Sequence, residues 1–213
     1  MDNNLKKYQT AFLIITIAQF FMVLGLLQYG GAIKALSGIL GVFALFTDAA
    51  FIMMIVAVTK LYEFNKNYFY CFITSIICLF VNILALVAKE STEDFTVAWA
   101  RGLNVSFDIL LCIAYAYFFL GSKEKFTELN LEKNIKRSRL GFFMVIGLTI
   151  AINLVNFIGS FNFIRTNYIA AAIFKYGAIA LRLALYTFMF VIIFIMKIAM
   201  KKYASEEPHE EQK

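Results

Sequence analysis

Three charged residues stand inside long apolar runs of the chain: Asp48, Asp108 and Arg182. A charge near the middle of a bilayer costs at least about 2.5–3.5 kcal/mol on insertion scales, so such residues face a bundle interior and find partners there. The chemistry open to them is a ligand or ion pathway that favours an anionic or zwitterionic group. Spacing supplies them with neighbours. Arg101, Asn104 and Asp108 follow i, i+3, i+7 and share one helix face. Lys175 and Arg182 are seven apart and share another, and Lys34 lies two heptads before Asp48 on roughly the same face. If these polar stripes converge, they line a cavity in which the bases Lys34, Arg101, Lys175 and Arg182 outnumber the acids Asp48 and Asp108. The competing reading is structural: Arg182 bridges the two aspartates and fixes helix register, while the outer bases reach to headgroups. The single amides Gln19, Asn82, Asn153 and Asn156 read as interhelical hydrogen-bonding groups.

Other chemistries find little support. The one histidine, His209, stands in the polar tail, so no histidine-ligated metal, haem or histidine base is expected within the apolar part. No P-loop, dinucleotide fingerprint or Ser/His pair is present. Asp48 follows Phe46-Thr47 and Asp108 follows Ser106-Phe107, outside the GxGD context of intramembrane aspartyl proteases, and an adjacent arginine would keep both ionised. No enzyme activity, cofactor or metal is expected. Cys71, Cys78 and Cys112 form no CxxC and read as buried spectators.

The elements that must hold these residues follow from composition. Hydrophobic residues make up 62% of the 213 and charged residues 16%. Soluble domains average roughly 45–50% apolar and about 25% charged, so lipid is the expected solvent. Six apolar runs emerge, at about 10–29, 35–59, 67–88, 99–120, 140–163 and 168–199. They are continuous rather than alternating, which indicates α-helices and not a β-barrel. The expectation is an all-α integral membrane protein of six spans in three consecutive helical hairpins, one polytopic domain over 1–203, with a polar tail at 204–213. The only proline, Pro208, is in that tail, so unkinked helices are expected. The run from Thr10 to Tyr29 is too long for a signal-peptide core and reads as a retained first span. The longest joint, Gly121–Arg139, mixes Lys and Glu with Phe126, Leu129 and Ile135 and suggests an amphipathic interfacial helix.

Charge orients the chain. One set of joints carries Lys6, Lys7, Lys60, Lys66, six bases from Lys123 to Arg139, and Lys197, Lys201 and Lys202. The other carries Lys34, Lys89, Arg101 and Arg165. The positive-inside rule assigns the first set, and both termini with it, to the cytoplasm. The formal net charge of +6 then reflects bases beside anionic lipid, not nucleic-acid binding. Asp48, Asp108 and Arg182 lie at similar depths from their basic ends, as a threefold repeat of hairpins would place them. The leading functional expectation is a small transporter or ligand-binding membrane protein with an outward-facing polar cavity for an anionic or zwitterionic ligand. The other is a non-transporting membrane subunit or scaffold that binds another membrane protein. A Lys-rich, apolar chain low in Gly and Pro suggests a bacterial plasma membrane.

Overall fold

The structure, a computed structural model, describes residues 3–26, 37–89 and 94–206. The described residues form seven helices: α1 (Asn3–Gly25), α2 (Ser37–Thr59), α3 (Lys66–Lys89), α4 (Asp94–Glu128), α5 (Glu132–Gly159), the short α6 (Asn162–Arg165) and α7 (Tyr168–Glu206). Local chemistry marks their ends. Asn65 precedes α3 and its Oδ1 accepts from the Asn67 backbone N–H at 2.7 Å. Asn167 precedes α7 and accepts from the Ala170 N–H at 3.1 Å. Both satisfy an otherwise orphaned first-turn donor. Asn130, at φ 53°, takes the left-handed conformation that asparagine tolerates and turns the chain between α4 and α5.

The expectation of six spans in three consecutive hairpins is corrected. Among the described residues five helices are long and apolar enough to cross a membrane: Asn4–Gly25, Lys66–Ala85, Gly102–Glu128, Glu132–Gly159 and Tyr168–Tyr203. The run expected at 35–59 is the exception. It begins outside the described residues, and within α2 (Ser37–Thr59) the apolar stretch Leu45–Thr59 is a shorter one and is not among the five. α2 packs on α3, and α4 packs on α5, as well as each on its hairpin mate, and α7 closes back onto α1. The helices α1, α2, α3, α4, α5 and α7 therefore form a closed ring.

Large rings from α1, α3 and α4 fill the middle of this arrangement near one end. Phe12 stands 5.2 Å from Phe118 and 6.0 Å from Phe126. Tyr8 stands 5.2 Å from Phe64 and 6.1 Å from Tyr68. These side chains are buried, apart from the half-buried Phe64. The expected interfacial helix over Gly121–Arg139 is instead the end of α4 and the start of α5, because Phe126 docks into this aromatic plug and Leu129 and Ile135 pack beside it.

The same end gathers the basic joints. Lys7 pairs with Glu63 at 3.3 Å, Glu124 accepts from the side chains of Asn65 and Asn67, and Gln9 Nε2 donates to the Met200 carbonyl at 3.4 Å. The start of α1 and the end of α7 therefore share one end of the bundle. The outward faces are apolar: Phe80, Phe143 and Ile169 are 63%, 69% and 70% exposed. Soluble proteins seldom leave continuous apolar surface of this kind uncovered, so lipid covers it. The chain is a small all-α multi-pass membrane protein.

Candidate functional site

At the other end the ring is open. A cleft of about 1030 Å³ lies between the first turns of α4, the last turns of α5 and the first turns of α7. α4 supplies Gly102, Asn104 and Val105; α5 supplies Asn153, Asn156 and Phe157; α7 supplies Phe174, Lys175 and Arg182. Arg165, at the end of α6, stands on its rim. The spacing of Lys175 and Arg182 explains why two bases of one helix reach the same cleft, since seven residues make nearly two full turns.

Arg182 forms the floor. Its Nη2 donates to Asp108 Oδ2 at 2.6 Å, and the two side chains are 14% and 5% exposed. The pair joins α7 to α4. Asp108 itself is not part of the cleft wall, so the lining has three bases and no acid among the described residues. Neither Arg165 nor Lys175 is in an ion pair with a described residue; Lys175 Nζ lies 5.9 Å from the centre of the Tyr176 ring. A low-dielectric pocket lined with one sign of charge concentrates ligands of the other sign.

The remaining sequence candidates are distributed unevenly. Asp48 does not meet Arg182. Its Oδ1 accepts from Asn82 Nδ2 at 2.7 Å, so it joins α2 to α3. Asn104 and Asn156 line the cleft. Asn153 donates to the Thr149 carbonyl at 3.0 Å, and its buried Oδ1 has no hydrogen-bond partner among the described residues. Arg101 lies on α4 one residue before the cleft-lining Gly102. Lys34 lies outside the described residues. Arg165, which the sequence shows only as a base in a joint, was not anticipated as a site residue; its one signal was proximity to Lys175 across a short α5–α7 connection.

Gln19 is buried in the ring and accepts from the Tyr115 hydroxyl at 2.7 Å, linking α1 to α4 across the centre. Its Nε2 has no partner among the described residues. Tyr115→Phe removes the one described bond of this amide. Interhelical hydrogen bonds in membranes average about 0.6 kcal/mol and reach about 1.7. The variant is expected to lose stability within that range in a detergent unfolding titration, and an unchanged midpoint would show that the bond contributes nothing.

Among the described residues no group of three His, Cys, Asp or Glu is placed to hold a metal ion. Cys71 and Cys78 are buried and Cys112 is half-buried, and all three are free thiols. A second, apolar groove of about 450 Å³ opens between α4 and α5, lined by Val105, Ile109 and Ile113 on one side and Ile150, Leu154 and Phe157 on the other. It shares Val105, Asn153 and Phe157 with the basic cleft, so the two are continuous. The chain matches no family model, no curated protein and no solved structure.

Proposed function

We propose that this protein is a small transporter or ligand-binding membrane protein, and that the cleft between α4, α5 and α7 takes an anionic group. The observation that carries the reading is the set of three bases on the cleft, Arg165, Lys175 and Arg182, facing no acid in its lining among the described residues. The aromatic plug at the opposite end supports it, since a bundle filled at one end and open at the other offers access from one side only. By the positive-inside rule the plugged, Lys-rich end and both termini are cytoplasmic in this reading, so the cleft faces outward; the membrane it takes for the protein is a bacterial plasma membrane. The reading assigns no catalytic step to the chain.

The test is thermal unfolding of the purified protein in an uncharged detergent at constant ionic strength. Glycerol 3-phosphate and phosphatidylglycerol are added in separate series. A ligand in roughly hundredfold excess over its Kd adds about 2.7 kcal/mol of apparent stability, so a saturable rise in midpoint is expected with at least one of them. The double substitution Arg165→Gln/Lys175→Gln should abolish the rise, whereas Lys133→Gln/Lys136→Gln, at the other end of α5, should leave it intact. No rise with either probe, or equal loss in both double variants, overturns the reading and leaves the non-transporting membrane subunit in its place.

A further inference from the structure

The cleft and the apolar groove share a wall, and that continuity carries more than either cavity alone. Asn153 sits at the junction. On one side are the guanidinium of Arg182 and the bases Lys175 and Arg165. On the other is a slot whose α4 wall runs from Val105 to Ile113, about 12 Å at the helical rise. The slot opens sideways, because Ile109, Ile150 and Leu154 are 49%, 56% and 53% exposed on the bundle's outer face. The surface around the cleft mouth is rich in exposed rings: Phe157, Phe161, Phe163 and Tyr168 surround the α5–α6–α7 connection. Aromatic residues of this kind sit at the level of lipid headgroups.

From these three observations we propose that the occupant is an anionic membrane lipid, with its phosphate held by Arg165, Lys175 and Arg182 and one acyl chain laid in the α4–α5 groove. This deepens the reading given under Proposed function and rests on it. A soluble anion satisfies the bases but leaves the slot to the bulk bilayer. A neutral lipid fills the slot but leaves the bases without a counter-charge. Only a molecule that carries both parts matches both cavities at once. Bases beside anionic headgroups attract them electrostatically, and planar guanidinium groups grip phosphate through paired N–H donors.

Native mass spectrometry of the full chain released from uncharged detergent reads the binding directly. The probes are phosphatidylglycerol, phosphatidylcholine with the same acyl chains, and glycerol 3-phosphate as the head without a chain. Phosphatidylglycerol should bind well above phosphatidylcholine. Its apparent affinity should fall about fivefold for each of Arg165→Gln and Lys175→Gln. Ile150→Trp or Leu154→Trp, at exposed positions that fill the slot, should weaken phosphatidylglycerol binding while leaving glycerol 3-phosphate unaffected; whichever of the two stays monodisperse is the one compared. If glycerol 3-phosphate binds as tightly as phosphatidylglycerol, or slot filling does not weaken the lipid, the lipid proposal is overturned and the anion-binding cleft stands. Binding of the two lipids to the same extent overturns it as well. If no anionic probe binds, both fall.

Discussion

Arg182→Gln is expected to be the most damaging single substitution of a charged residue in the described membrane part. Asp108 is 5% exposed and its Oδ2 is held by Arg182 at 2.6 Å. Removing the guanidinium leaves a carboxylate that either protonates or remains charged without its partner. Deleting one member of a buried pair costs about 3–5 kcal/mol, mostly the penalty of the stranded charge. The converse change, Asp108→Asn, should be milder. Arg182 lines the cleft, so its guanidinium keeps access to water and anions once its acid is gone. The double variant Arg182→Gln/Asp108→Asn should regain part of the loss, because two neutral amides can bond each other. Asp48→Asn should cost least, since its partner is the neutral amide of Asn82 and not a cation. Unfolding titrations of the four variants in one detergent give this order directly. Equal stability of Arg182→Gln and the wild type would show that the pair does not hold α7 to α4.

Two glycines on α5, six residues apart, are expected to respond to alanine with opposite signs. Gly141 is buried, and a Cβ there would run into the Phe119 ring of α4. Phe119 is itself buried and stands 5.5 Å from Phe118, within the aromatic plug, so it has little room to withdraw. Overpacking of this kind typically costs about 1–3 kcal/mol. Gly147 faces open space, with nothing within 4 Å of the position a Cβ would take. There the substitution only removes the glycine's backbone freedom, and alanine is favoured by up to about 1 kcal/mol in a helix interior. Gly141→Ala should therefore lower the detergent unfolding midpoint while Gly147→Ala raises it or leaves it unchanged. A matched response of the two would mean that the α4–α5 contact at Phe119 is not the close approach described.

The polar residues show where sequence reasoning reached and where it stopped. The cost of an isolated charge in lipid was enough to require a partner for Asp108, and Arg182 was one of the few available. Helical spacing was enough to align Asn104 with Asp108, and Lys175 with Arg182. It did not reveal that Asp48 would turn to Asn82 instead. That choice depends on α2 lying against α3, and the helix periodicity of α2 carries no information about its neighbour. Arg165 was legible only as a base between two apolar runs. Its place on the cleft rim follows from the short α6 and the tight return of α7.

Composition and apolar run length by themselves determined that the chain is helical and lies in a membrane, because a 62% apolar sequence has no other solvent that can cover it. The charge distribution determined that the basic joints belong together, and they do gather at one end. The number of span-length helices was not determined: six apolar runs are read, and five helices among the described residues are long and apolar enough to cross a membrane. The closed ring, the aromatic plug and the basic cleft were decided only by tertiary structure. A helix shows which residues share its faces, but which face meets which neighbour is settled by side-chain packing between segments far apart in the chain. Phe12 against Phe118 and Asp108 against Arg182 are contacts of that kind.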